Sequence, residues 1–326
     1  MKVGIIGIGA VGPIHINALK LNGQEVVALC DIDEKKCQQA SERFSLNAKV
    51  YADYKKMLDE CELDVVHICT PHYLHAEMIC EGLKRDINVL CEKPLAINEE
   101  QLDIIERAVK ESKAELGVCF QNHFNASVRY LKEFLQGKEV KSAAFNLVWN
   151  RGASYYAKDA WRGTWAQEGG GVMINQAIHG LDLMQSLCGM PESVIAYTSN
   201  IGLKGQIEVE DTAFALFKLK NGGTIVVNAT NAATQSLPIY YMFKTDTDTI
   251  ELSEDNMIIN KQFLTRSDGL PLFGKVEWGV GHVNLIREFY NCLENGKKFA
   301  IGFYEAKNVI KLIRAMYRSN GKEVFI

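Results

Sequence analysis

Five short apolar runs in the first 120 residues, at 3–6, 26–30, 65–69, 89–91 and 118–120, are rich in Val and Ile and do not alternate with polar residues. A strand open to water on one face alternates, so an uninterrupted run marks a parallel strand covered on both faces. Between the runs, Ile14, Ala18 and Leu21, then Leu102, Ile105 and Val109, recur at spacings of three and four and form apolar helix stripes. Asn98, three residues ahead of Gln101, is placed to cap the second of these helices. Strand and helix in alternation predict an α/β fold with a doubly wound parallel sheet over residues 1–122.

The pattern changes beyond Phe120. Helices are expected over 127–135 and 172–187, a strand over 142–149, and between them an aromatic, glycine-rich loop over 151–171. Strand-like segments follow at 194–200, 212–219, 224–229, 239–244 and 249–252, with Asn221-Gly222-Gly223 suited to a hairpin turn. Connections this short predict a mainly antiparallel sheet. Two amphipathic helices near 283–293 and 305–317 end a second α/β domain over 123–326, expected to pack on the first with a cleft between them.

A chain of 326 residues, 47% hydrophobic and 23% charged, has the size and composition for two packed domains and excludes a disordered one. Net charge is −4 and pI 6.0, which offers nucleic acid and anionic membranes no general attraction. No apolar run approaches the ~18 residues of a membrane span. A strand pattern begins at Lys2 without a leader ahead of it, so no nucleic-acid or membrane partner is expected. The nine cysteines are scattered, without a CxxC pair or zinc-like clustering, and fit a reducing cytoplasm.

Gly7-Ile8-Gly9-Ala10-Val11-Gly12 lies directly after the first run and before a helix. Glycines in that pattern permit a tight turn, close approach of backbone amides to a pyrophosphate, and close packing of helix on strand. Asp31 ends the second run, where a carboxylate can accept both hydroxyls of an adenine ribose; capping of the next helix is its other reading. A 2′-phosphate would meet that charge, and neither Ile32 nor Asp33 compensates it. NAD is therefore expected in preference to NADP, with Lys35 or Lys36 the route to the opposite outcome.

Glu92-Lys93-Pro94 follows the run ending at Cys91, at the sheet edge where doubly wound folds bind ligands. An ammonium there can stabilise an alkoxide as hydride moves. Thr70, Pro71, His72 and His75 end the preceding run and are candidates for the nicotinamide side; His75 reads equally as structural, and His15 as packing or a water contact. Further on, Gly169-Gly170-Gly171 leads into a helix carrying Asn175, His179 and Asp182, whose spacings of four and three share one face. His179 is the candidate proton acceptor, because imidazole titrates near working pH. No metal is expected, since no cysteine or carboxylate set is spaced to complete a zinc site. Tyr155, Tyr156, Trp161 and Arg162 make an aromatic, cationic loop suited to a sugar ring or an anionic group, or to interface packing.

Taken together, GIGAVG, TPxxxH at 70–75, EKP at 92–94 and GGGxxxNQxxHxxD at 169–182 resemble the Gfo/Idh/MocA oxidoreductase family over essentially the whole chain, in that family's order. The resemblance implies a Rossmann domain, with Gln121 added to the cofactor-binding set, and a substrate-binding and oligomerisation domain. In the family that second domain's open, mainly antiparallel sheet often forms the dimer or tetramer interface. It implies NAD(P)-linked chemistry on pyranose, cyclitol or related polyol substrates. Lys93 matches the family's active-site lysine and His179 its histidine. Asn175 stands where many members have aspartate, as in a subset of which some act on nucleotide sugars, and His123 where many carry arginine after Gln-Asn.

The expected reaction is oxidation of a secondary alcohol, with Lys93 on the oxyanion, His179 taking the proton and Asn175 beside it. His123, Tyr156, Trp161 and Arg162 are placed on the substrate side. Two rivals stand: a catalytically silent dinucleotide sensor that binds a protein partner, and a reductase of an imine or halogenated compound on the same scaffold.

Overall fold

The computed structural model describes residues 1–274 and 279–326. The chain forms two compact units, Met1–Gln121 with Pro271–Lys307, and Asn122–Leu270 with Asn308–Ile326. A single cut after residue 122 thus misses one return: the segment Pro271–Lys307 rejoins the first unit.

The first unit runs β1 (Lys2–Ile6), α1 (Gly12–Leu21), β2 (Glu25–Cys30), α2 (Glu34–Phe44), β3 (Lys49–Tyr51), α3 (Tyr54–Glu60), β4 (Val65–Ile68), α4 (His75–Leu83), β5 (Asn88–Glu92), α5 (Glu99–Glu111) and β6 (Leu116–Cys119). Its six strands are ordered β3-β2-β1-β4-β5-β6 and all pair in parallel. The order reverses between β1 and β4, the switch point at which such sheets open a ligand crevice. The central strands are buried on both faces, which is why their sequences run apolar without alternation. At the start of α5 the Asn98 Oδ1 accepts the Gln101 N–H at 2.9 Å, and Gln101 Oε1 accepts from Ile97 N at 3.0 Å. That cap is the one expected from the sequence.

The second unit contains α6 (Ala126–Phe134), β7 (Ser142–Val148), α7 (Ala153–Tyr156), α8 (Val172–Asn175), α9 (Ile178–Cys188), β8 (Ser193–Ser199), β9 (Thr212–Lys218), β10 (Thr224–Thr230), β11 (Tyr240–Lys244), β12 (Thr249–Ser253), β13 (Asn256–Ile259) and β14 (Gln262–Thr265). In the first unit again, α10 (Gly281–Glu294) packs on α1. The unit boundary falls inside α11 (Phe303–Ser319), and β15 (Val324–Phe325) completes the second sheet.

That sheet has nine strands in the order β14-β13-β12-β11-β7-β10-β9-β8-β15. Every pair is antiparallel except β7 with β10, which is parallel because the chain crosses over between them. One face is covered by α9, where a Cβ on Gly180 would collide with the Phe145 ring. The other face carries, in register, one residue from each of eight strands: Ile195, Leu216, Val226, Ala144, Met242, Glu251, Ile258 and Phe263. Most of these are exposed, and all but Glu251 are apolar. The helix expected over 172–187 is broken at Gln176 and Ala177 into α8 and α9. Among the described residues, no helix is long and apolar enough to cross a membrane.

Candidate functional site

Each unit carries its own cluster. In the first, β1 delivers the chain into the glycine turn at the switch point. Gly7 has φ +92°, and a Cβ there would stand 2.6 Å from the Cys69 carbonyl oxygen, so both conformation and space demand glycine. Gly12 packs so closely on the Gly7 carbonyl that a Cβ would collide with it. Gly9 differs: a Cβ built there meets nothing within 4 Å, and the residue is exposed. The first turn of α1 has no acidic side chain, leaving the positive helix terminus to an anion. An open glycine over a helix N-terminus fits a dinucleotide pyrophosphate.

Asp31, at the carboxyl end of β2, accepts from Ile8 N at 2.8 Å and from Asp33 N at 3.0 Å. It therefore ties the glycine turn to the second strand, and the cap of α2 comes from Asp33, whose side chain accepts from Lys35 N. Lys36 Nζ lies 3.9 Å from Asp31, while Ile32 is 94% exposed.

At the ends of β4 and β5 the loops are laced together. His75 is buried, with Nδ1 2.7 Å from the Pro94 oxygen and Nε2 2.8 Å from the Thr70 oxygen. It joins the Thr70-Pro71 turn to the Lys93-Pro94 loop. Lys93 is half-buried at the end of β5, its backbone N–H 3.3 Å from Glu92 Oε2. His72 and Gln121 are buried in the same unit.

In the second unit Tyr155, rather than Tyr156, is the hub of the aromatic loop. Its hydroxyl accepts from Arg162 Nη1 at 2.7 Å, Gln176 Nε2 at 3.1 Å and Asn175 Nδ2 at 3.4 Å. The Arg162 guanidinium also lies 4.5 Å from the Trp161 ring centre. Tyr156 is buried among Leu203, Ile207 and Val209, and its hydroxyl accepts from Asn231 at 2.9 Å. Asn175 donates to the carboxylate of Glu168, a fully buried residue that also accepts from Gly163 N. A carboxylate accepts only, so the amide of Asn175 is oriented by it. Asp182 pairs with His123 at 2.5 Å, and His179, on α9, is half-buried.

A family model described as the oxidoreductase family with an NAD-binding Rossmann fold matches residues 1–120, and a Gfo/Idh/MocA C-terminal domain model matches residues 131–250. The chain belongs to the Gfo/Idh/MocA oxidoreductase family. Its sequence is 23% identical over 240 residues to a myo-inositol 2-dehydrogenase of Thermotoga maritima, covering 72% of this chain and 69% of that one. It is 37% identical over 138 residues to an inositol 2-dehydrogenase/D-chiro-inositol 3-dehydrogenase of Lacticaseibacillus casei, covering 41% and 40%. The solved WlbA dehydrogenase of Bordetella pertussis, in complex with NADH and UDP-GlcNAcA, is 27% identical with a TM-score of 0.86, over 100% of this chain and 98% of that one. Levoglucosan dehydrogenase with NADH and levoglucosan, at 21% identity and TM-score 0.89 over 100% and 99%, shares the fold.

As a Gfo/Idh/MocA protein the chain is an NAD-binding oxidoreductase. Two groupings exist only in the fold. Glu168 precedes the three glycines and looks like an ordinary loop acid; only the fold buries it against Asn175. His15, Glu92 and Cys119, from three different elements, bring potential metal-ligand atoms within 4.8 Å of one another, but both His15 nitrogens already have hydrogen-bond partners.

Proposed function

We propose that this Gfo/Idh/MocA protein catalyses reversible oxidation of a secondary alcohol on a cyclitol, sugar or nucleotide sugar, with NAD as the hydride carrier. One observation carries the reading: in a single parallel sheet, an open glycine turn with a ribose-competent carboxylate follows β1 and β2, and the half-buried Lys93 directly follows β5. Gly7, Ile8, Gly9, Val11 and Gly12 hold the pyrophosphate, Asp31 and Ile32 flank the adenine ribose, and Thr70 to His75, Glu92 and Gln121 border the nicotinamide. When bound, the nicotinamide supplies the two-electron chemistry. Lys93 donates to the reacting oxygen and stabilises its developing negative charge. His179 accepts the hydroxyl proton, and Asn175, oriented by Glu168, holds a neighbouring group. His123, Trp161 and Arg162 face the rest of the substrate; Tyr155 takes the place first assigned to Tyr156.

Two further readings accompany this one. The apolar row on the open sheet face supports a homodimer or homotetramer built through that face, since a continuous exposed apolar surface calls for a partner. Nine free cysteines support a cytoplasmic location. The test of function is a panel of myo-inositol, levoglucosan and UDP-GlcNAcA with NAD, followed by NADH absorbance. Turnover of at least one is expected. Tight NADH binding with no turnover of the panel, nor of keto-sugars in reverse, would leave the silent sensor and the reductase of a non-sugar substrate in its place.

A further inference from the structure

Five buried polar side chains inside the first unit are linked to one another behind the sheet edge: Tyr290 and His282 on α10, His67 on β4, His15 on α1, and Glu92 on β5. With Glu92 ionised and the rings neutral, their hydrogen bonds take one consistent assignment. An ionised carboxylate only accepts, so His15 Nε2 at 3.0 Å and His282 Nε2 at 3.2 Å both donate to Glu92 Oε1. A neutral imidazole has one N–H, which makes His15 Nδ1 an acceptor; His67 Nδ1, at 2.8 Å, then donates to it. His67 Nε2 in turn accepts from the Tyr290 hydroxyl at 3.0 Å. Every donor meets an acceptor and no ring needs a second proton. Burial pushes the His15 and His67 imidazoles down, in keeping with neutral rings. Although burial pushes Glu92 up, the two imidazole N–H groups hold it well below the usual carboxylate range.

A buried carboxylate held this way is rarely the most stable filling for its space; apolar residues of similar volume often do better. What Glu92 does instead is set by its second oxygen, which accepts from the Lys93 N–H at 3.3 Å. The carboxylate that the two imidazoles hold in place thereby holds the backbone at residue 93, with the His75 ring packed beside the Pro94 carbonyl.

We infer that the chain Tyr290–His67–His15–Glu92, closed by His282, is a positioning device that fixes the backbone from which Lys93 reaches the reacting oxygen. The inference rests on the reading of Lys93 as the oxyanion-stabilising group. Glu92→Gln tests it. A glutamine that keeps its oxygen toward the two imidazoles turns its NH2 against the Lys93 N–H, donor facing donor. We expect kcat to fall about 10- to 100-fold with KM close to wild type, a split that a general loss of folded protein would not give. Tyr290→Phe removes only the far hydroxyl and should lower kcat about 3-fold with the same split. Wild-type kcat in Glu92→Gln would overturn the inference. So would losses of kcat in both variants that merely follow lost melting temperature and NADH binding. Lys93→Ala separates the two ideas, with myo-inositol or whichever panel compound turns over as substrate. If it keeps full turnover, the reading of Lys93 and the inference fall together. If it is inactive while Glu92→Gln is normal, the inference alone falls.

Discussion

Two glycine-rich turns, one in each unit, use the same residue for opposite ends. In the first, Gly7 and Gly12 are glycine because the protein's own backbone crowds them, and between them Gly9 opens onto space. In the second, a Cβ on Gly170 would strike the Tyr317 ring and one on Gly171 the Glu210 backbone. Glu210 then fills the turn with its carboxylate, accepting from Gly171 N at 2.9 Å, Met173 N at 3.0 Å and Tyr317 Oη at 2.9 Å. The first turn is shaped to receive an anion from outside; the second is already filled by the protein's own carboxyl group. A glycine motif therefore signals a ligand only where one of its positions stays open.

That contrast yields three ways to break it. Gly171→Ala should cost about 3 kcal/mol or more of stability in denaturant unfolding, because the obstacle is backbone and cannot swing aside. An unfolding midpoint like wild type would mean that the second turn is as open as the first.

The acid that fills the second turn should make stability depend on pH. Burial pushes the Glu210 carboxyl up from 4.5 to about 7, against the backbone and Tyr317 hydrogen bonds that pull it down. With the folded-state value above the unfolded one, the folded chain holds a proton that the unfolded chain gives up. This contribution is fully present below the ordinary glutamate value and is lost as pH rises through about 7. It is on the order of 3 kcal/mol. Melting curves of Glu210→Gln between acidic and mildly alkaline pH should be flatter than those of the wild type; parallel curves would show that Glu210 does not titrate there.

The smallest effect belongs to the open turn. Gly9→Ala should leave the melting temperature unchanged and raise the NADH Kd about tenfold, or about 1.4 kcal/mol. Loss of stability with unchanged Kd would reverse the assignment of the two turns.

Legibility in the sequence follows burial. β1, β2, β4, β5 and β6 announce themselves because both faces are covered, so apolar residues run together. β3 is three residues, too short to show any period, β13 is only four, and β14, at the sheet edge, buries none of its four. Asn175, His179 and Asp182 carry a helical spacing, yet the break at Gln176 puts Asn175 on α8 and sends Asp182 to His123. Local spacing cannot report such a break, because helix propensity at Gln176 and Ala177 is ordinary and tertiary packing decides it. The glycine turn, Asp31 and Lys93 were legible because each follows a strand directly. Tyr290 and His67 stand 223 residues apart and meet only in the fold.

The central proposal is that Lys93 and His179 act in one and the same reaction. The most direct measurement is a double-mutant cycle of Lys93→Ala and His179→Ala on the substrate identified from the panel, with NADH binding as the control for folding. Residues acting as a unit on one transition state give strongly non-additive losses. The account predicts that each single variant loses about a thousandfold or more in kcat with NADH Kd unchanged, and that the double variant is scarcely slower than the worse single. Losses that multiply in full, or either single variant retaining wild-type turnover, would contradict it.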